Sequence, residues 1–141
     1  MVTPTVFTYG TLMISDVMRA VTGQTFSSQP ATLNGYARFR VKGEVYPGIV
    51  AATDTHIDGR LYMDVDDTSL GRLDRFEGEI YARQMVKVIS GDGKPRLAVV
   101  YVIRDVYRDC LSGEPWDEKD FIQQHLPAFL RSADGLISDC E

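Results

Sequence analysis

Three consecutive pieces decide the fold: Tyr81-Ala82-Arg83-Gln84-Met85-Val86-Lys87-Val88, then Gly91-Asp92-Gly93-Lys94-Pro95, then Leu97-Ala98-Val99-Val100-Tyr101-Val102-Ile103. The first alternates. Tyr81, Arg83, Met85 and Lys87 fall on one side and Ala82, Val86 and Val88 on the other, as side chains do on a strand with a period of two. The middle piece, with two glycines and a closing proline, has the length and chemistry of a hairpin loop. The return is the most continuous apolar run in the chain and reads as a central strand. Two strands joined by so short a loop pair antiparallel.

Working outward, Thr5-Val6-Phe7-Thr8-Tyr9 is a β-branched and aromatic run that stops at Gly10, a strand feeding a turn. The stretch around Leu33, Tyr36 and Phe39 reads as two short strands or one bent strand, because Asn34-Gly35 is a turn signal inside it. Tyr46-Pro47-Gly48 interrupts before Ile49-Val50-Ala51, and the proline confines that piece to an edge or a loop rim. Asp58 to Val65 follows as a further strand bearing Leu61, Met63 and Val65. The total is roughly six or seven short strands and two or three helices, mostly joined by hairpin-length loops. The expected architecture is α+β, a small, mostly antiparallel β-barrel with helices packed outside. One domain over residues 1–141 is expected, with a frayed tail from about Ser132.

The helical signals are short. Ser15-Asp16 is expected to cap a helix carrying Val17, Met18 and Val21 and closed by Gly23. Trp116-Asp117 opens the last element, with Asp117 as cap, Trp116 as an anchor against the sheet, and Pro127 kinking or dividing the helix. Between these lies Leu70-Gly71-Arg72-Leu73-Asp74-Arg75-Phe76-Glu77-Gly78, about two turns capped by Asp67 or Thr68 and stopped by Gly78. Leu70, Leu73 and Glu77 share a face at i, i+3 and i+7. Two readings of Glu77 stay open on periodicity alone: a solvated last-turn glutamate, or a carboxylate drawn toward an apolar interior and tuned as a general base.

Composition narrows the classes. The chain has 141 residues, 44% of them hydrophobic, and a net charge of -5 with Lys and Arg scattered, so nucleic acid and anionic membranes are disfavoured as partners. Met1-Val2-Thr3-Pro4-Thr5 lacks the pattern of a signal peptide and no apolar run is long enough to span a bilayer, which makes a cytoplasmic protein the simplest expectation. Cys110 and Cys140 are far apart and read as free thiols, and His56 and His125 are isolated. Neither a metal site nor a Ser-His-Asp triad is indicated, so acid-base work falls to carboxylates and tyrosines.

Three segments, Tyr9-Gly10-Thr11-Leu12, Tyr46-Pro47-Gly48 and Leu73-Asp74-Arg75-Phe76-Glu77-Gly78 followed by Tyr81 and Arg83, resemble in order and spacing the gamma-glutamylcyclotransferase-like proteins. The similarity is greatest to the branch that includes the plant avirulence-induced proteins, and it extends through most of the chain. The resemblance implies a mixed β-barrel with flanking helices and a cavity holding a small gamma-glutamyl substrate. In it the Tyr9 to Leu12 loop contributes backbone N–H groups, Glu77 is the base, and Tyr46 and Tyr81 contact substrate. It implies cyclisation to 5-oxoproline with release of an amine, a reaction needing neither cofactor nor metal. Met13-Ile14-Ser15-Asp16 follow where many members carry a basic residue and a glycine, which leaves open how the pocket rim is built. The resemblance leaves roles for Arg38 and Arg83 unassigned, the latter being as apt to partner a nearby carboxylate. The alternatives are a metabolite-binding or stress-response protein that keeps the cavity without turnover, and another amide or acyl transfer on the same carboxylate.

Overall fold

The computed structural model describes residues 4–131. The expected fraying from Ser132 and the thiol of Cys140 lie outside the described residues. Five strands close into a barrel: β1 (Val6–Thr8), β2 (Ser28–Arg40), β3 (Pro47–Tyr62), β4 (Tyr81–Ser90) and β5 (Pro95–Ile103), in the order β1-β3-β2-β4-β5. All neighbours are antiparallel except β1 and β5, which run parallel with Val6 opposite Val99. The α+β mixed barrel expected from the sequence is the one present. The central hairpin is β4–β5, in register from Tyr81 opposite Ile103 to Ile89 opposite Pro95.

Five strands replace the expected six or seven, because two are long. Asn34-Gly35 makes no turn: Gly35 takes φ 85° where the β2–β3 register shifts between Asn34 and Tyr36, so the signal marks a bulge in one bent strand. Pro47 is the first residue of β3, where its missing N–H costs nothing, and the strand runs unbroken to Tyr62.

Among the described residues four helices flank the barrel: α1 (Ser15–Thr22), α2 (Asp67–Glu77), α3 (Glu118–Gln124) and α4 (Leu126–Arg131). Two 3-10 segments, Thr11–Met13 and Asp105–Cys110, complete the regular structure of the described residues. Several expected caps shift by a residue or more. Ser15 and Asp16 lie inside α1 and supply no side-chain cap, whereas α1 does end at left-handed Gly23. In α2 the cap is Asp66, whose carboxylate accepts from the Ser69 N–H at 3.2 Å, and the helix is about three turns rather than two. Asp117 caps α3 as expected, and the helix breaks at His125, so that Pro127 falls in the first turn of α4, where a missing N–H is tolerated.

Every residue of β5 from Ala98 to Ile103 is buried, because both its faces are covered. Ala98, Val100 and Val102 join Phe7, Leu33, Ile49, Leu61 and Val88 in a cluster fed by all five strands, the barrel interior. Val99, Tyr101 and Ile103 point the other way and pack with Val17, Met18, Leu70, Leu73 and Phe76 of α1 and α2. β1 divides likewise, Val6 outward and Phe7 inward. Gly59 lets β1 lie this close to β3, since a Cβ there would sit 2.1 Å from the Thr8 carbonyl oxygen.

Candidate active site

The end of β1, the start of β3, the end of α2 and the start of β4 enclose a cavity of about 290 Å³. Tyr9, Gly10, Thr11, Leu12, Tyr46, Glu77 and Tyr81 all line it, so the sequence-derived candidates share one space although Tyr9 and Tyr81 lie far apart in the chain. Phe7, Phe76 and Phe129 give it apolar walls. Four further residues matter that sequence reasoning did not assign to the site. Glu44, Tyr101 and Phe129 form part of the lining, and Asp74, three residues before Glu77 on α2, accepts from the Tyr101 hydroxyl. In the sequence Glu44 is a single polar residue after Gly43 and Tyr101 sits inside an apolar run, so neither carries a local signal of the site.

Glu77 ends α2. Leu70, Leu73 and Phe76 are the buried residues of the apolar face, Leu73 completely so, while Glu77 is half-buried and lines the cavity among its aromatic rings. Burial, reinforced by the charge of Asp74, raises that carboxyl from its ordinary 4.5 to about 8. Its place at the helix C-terminus, the negative end of the dipole, acts in the same direction.

The Tyr9–Leu12 segment is fixed from outside the cavity. Arg38 Nη1 donates to the Tyr9 carbonyl at 2.6 Å, and the Tyr62 hydroxyl donates to the Leu12 carbonyl at 2.8 Å. Because N–H and C=O point oppositely across a trans peptide, holding the Tyr9 carbonyl turns the Gly10 N–H away from Arg38. The N–H groups of Thr11 and Leu12 stand at the head of the 3-10 turn, where no carbonyl of that turn reaches them. Gly10 is required by crowding, since a Cβ would lie 2.7 Å from both Cγ and Cδ of Pro47. The Tyr9 hydroxyl donates to the Tyr101 carbonyl at 2.7 Å, and burial with Glu77 nearby pushes its pKa well up, so it stays neutral.

The Tyr81 hydroxyl donates to the Pro47 carbonyl at 2.7 Å, pinning the start of β3 to β4. The Tyr46 hydroxyl donates to Glu44 Oε2 at 2.9 Å. Arg83 partners a carboxylate, Nε lying 3.0 Å from Asp74 Oδ1. The loop bearing Glu44 and Tyr46 is held by Trp116, whose indole N–H donates to the Val45 carbonyl at 2.7 Å and whose ring lies 5.3 Å beneath the Arg38 guanidinium. Arg38 and Trp116 thus tie the two sides of the cavity mouth together. The rim left open by Met13-Ile14 is built from that loop and from Phe129. Among the described residues no cluster of His, Cys, Asp or Glu could hold a metal ion, and no helix is long and apolar enough to cross a membrane.

A closed mixed barrel with a carboxylate in an aromatic-walled cavity defines a class of fold met in other proteins. The model of the family described as "Gamma-glutamyl cyclotransferase, AIG2-like" matches residues 6–120, and the chain belongs to that family. It is similar to AIG2-like protein D of Arabidopsis thaliana, 34% identical over 128 residues covering 89% of this chain and 84% of that protein. Protein AIG2 C of the same plant is 32% identical over 130 residues, covering 90% and 77%. The solution structure of an Arabidopsis thaliana protein superposes with TM-score 0.71 at 29% identity, covering 91% and 86%. A structure titled gamma-glutamyl cyclotransferase superposes with TM-score 0.64 at 14% identity, covering 98% and 90%, a likeness of fold alone.

Proposed function

We propose that the protein is a cofactor-independent gamma-glutamyl cyclotransferase of the cytoplasm, converting a gamma-glutamyl amine or amino acid into 5-oxoproline and the free amine, with Glu77 as general base. The observation that carries this reading is the carboxyl of Glu77, raised to about 8, in the same cavity as the Tyr9–Leu12 backbone.

The substrate contains its own nucleophile. Its α-ammonium must lose a proton before the nitrogen attacks the γ-carbonyl carbon, and Glu77 accepts that proton; a base poised near 8 suits an ammonium acid and still returns the proton readily. The new C–N bond closes the five-membered lactam, and the old γ-amide C–N bond breaks. Two protons leave the attacking nitrogen and two arrive on the departing one, which leaves as an ammonium ion, with Glu77 carrying one between them. The N–H groups from Gly10 to Leu12 bind substrate oxygens, including the one that gathers charge as the carbonyl becomes tetrahedral. The rings of Tyr46 and Tyr81 with the phenylalanine walls hold the glutamyl chain folded, so the barrier falls by positioning.

The test is 5-oxoproline release from gamma-glutamyl amino acids, gamma-glutamyl amines and glutathione, with binding of 5-oxoproline measured in parallel. Turnover of at least one substrate is expected. No turnover on any, with 5-oxoproline still bound, would assign the cavity to binding rather than catalysis.

A further inference from the structure

Glu77 does not stand alone on α2. One turn earlier, Asp74 accepts a hydrogen bond from the Tyr101 hydroxyl at 2.6 Å and an ion-paired contact from Arg83 Nε at 3.0 Å, both on the same oxygen, Oδ1. Tyr101 itself lines the cavity, and its carbonyl receives the Tyr9 hydroxyl. A chain of contacts therefore runs from β4 through Asp74 and β5 to the loop opposite Glu77. We propose that Asp74 is a positioning residue for Glu77, held by Tyr101 and Arg83 as a fixed negative charge one helical turn behind the reactive carboxyl.

This deepens, and for its catalytic meaning rests on, the reading of Glu77 as base. Side chains three apart on a helix are neighbours, so Asp74 acts on Glu77 through a short path. Other described groups face Glu77 from each element around it. Tyr9 at the end of β1 and Tyr101 on β5 are kept neutral by burial, and Tyr81 on β4 donates to a backbone carbonyl. Arg38 on β2 lies beyond the Tyr9 carbonyl, α4 brings Phe129 to the cavity, and Glu44 with Tyr46 approaches from the β2–β3 loop. Arg83 is the cation nearest to Asp74, and it offsets part of that charge. The direction of the Glu77 shift, which has Asp74 as its second cause after burial, agrees with this arrangement.

Two substitutions break the same ion pair and give opposite results if the coupling is electrostatic. Asp74→Asn removes the negative charge and lowers the Glu77 titration midpoint by on the order of half a pH unit, the effect of one charge about 6 Å away in a water-like medium. Arg83→Met leaves Asp74 unopposed and raises it by a few tenths of a unit, on the same scale. The readout is carbon-13 NMR titration of the Glu77 carboxyl, assigned with Glu77→Gln, which needs no turnover. Midpoints moving in opposite directions, and moving less in high salt, support the proposal. Midpoints that move together, or not at all, overturn it, because damage from a lost ion pair has one sign. The acid limb of kcat/KM, recorded alongside, separates the two ideas. Turnover that depends on Glu77 without a response to Asp74→Asn sinks the coupling alone, whereas shifted midpoints with turnover surviving in Glu77→Gln sink the base alone.

Discussion

Keeping a carboxyl protonated in the fold has a stability consequence that can be worked out for Glu77→Gln. In the unfolded chain Glu77 ionises near 4.5, and in the fold near 8. A raised native pKa contributes stability that is complete below the unfolded value and is lost as pH climbs toward the folded one. At about 1.36 kcal/mol per pH unit, the span of roughly two and a half units between 4.5 and pH 7 removes about 3 kcal/mol. The loss levels off near 5 kcal/mol above pH 9, with roughly a third less if water reaching the half-buried side chain is allowed for. Glutamine keeps the shape and carries no charge, so it avoids the loss. Urea unfolding of both proteins from pH 4 to 9 should therefore show near-equal stability at pH 4, with Glu77→Gln about 2–3 kcal/mol more stable at pH 7 and more so at pH 9. Curves that run parallel over this range would refute the reasoning, since they would place the carboxyl in contact with bulk water.

Three further outcomes follow from distances already given. Gly10→Ala forces a methyl group against the Pro47 ring at 2.7 Å and should cost about 1–3 kcal/mol in unfolding while abolishing 5-oxoproline binding by calorimetry. Trp116→Phe loses the Val45 hydrogen bond and most of the Arg38 contact, so about 1–2 kcal/mol of stability should go, with a raised KM because the Glu44–Tyr46 loop is released. Tyr81→Phe removes the bond to the Pro47 carbonyl and keeps the ring, and thermal unfolding should register about 1 kcal/mol with the fold intact.

The hairpin that closes the barrel was legible because Val86 and Val88 alternate with polar residues, and because Ala98 to Ile103 had to be buried on both faces. The length of β2 and β3 was not. Thr53, Asp54, Thr55 and His56 are exposed and polar, and residues 52–55 fall where the β2–β3 register shifts between His56 opposite Asn34 and Ala51 opposite Tyr36, so no alternation carries through the middle of β3. Asn34-Gly35 carries a turn's chemistry, yet a positive-φ glycine serves a bulge equally well. At the site, periodicity placed Glu77 beside Leu73 but left open what it faced. Asp74, Tyr101 and Glu44 acquire their places through contacts between distant elements, such as the 27-residue separation of the Tyr101–Asp74 hydrogen bond. Nothing local in sequence distinguishes Tyr101 from any other aromatic residue on a buried strand.

The most direct test of the central claim is the rate of 5-oxoproline formation by Glu77→Gln on the best gamma-glutamyl substrate, with 5-oxoproline affinity measured on the same preparation. Loss of a positioned general base predicts a fall in kcat of about 10²–10⁴-fold with product binding retained. A rate within a few-fold of the unsubstituted protein would contradict the account.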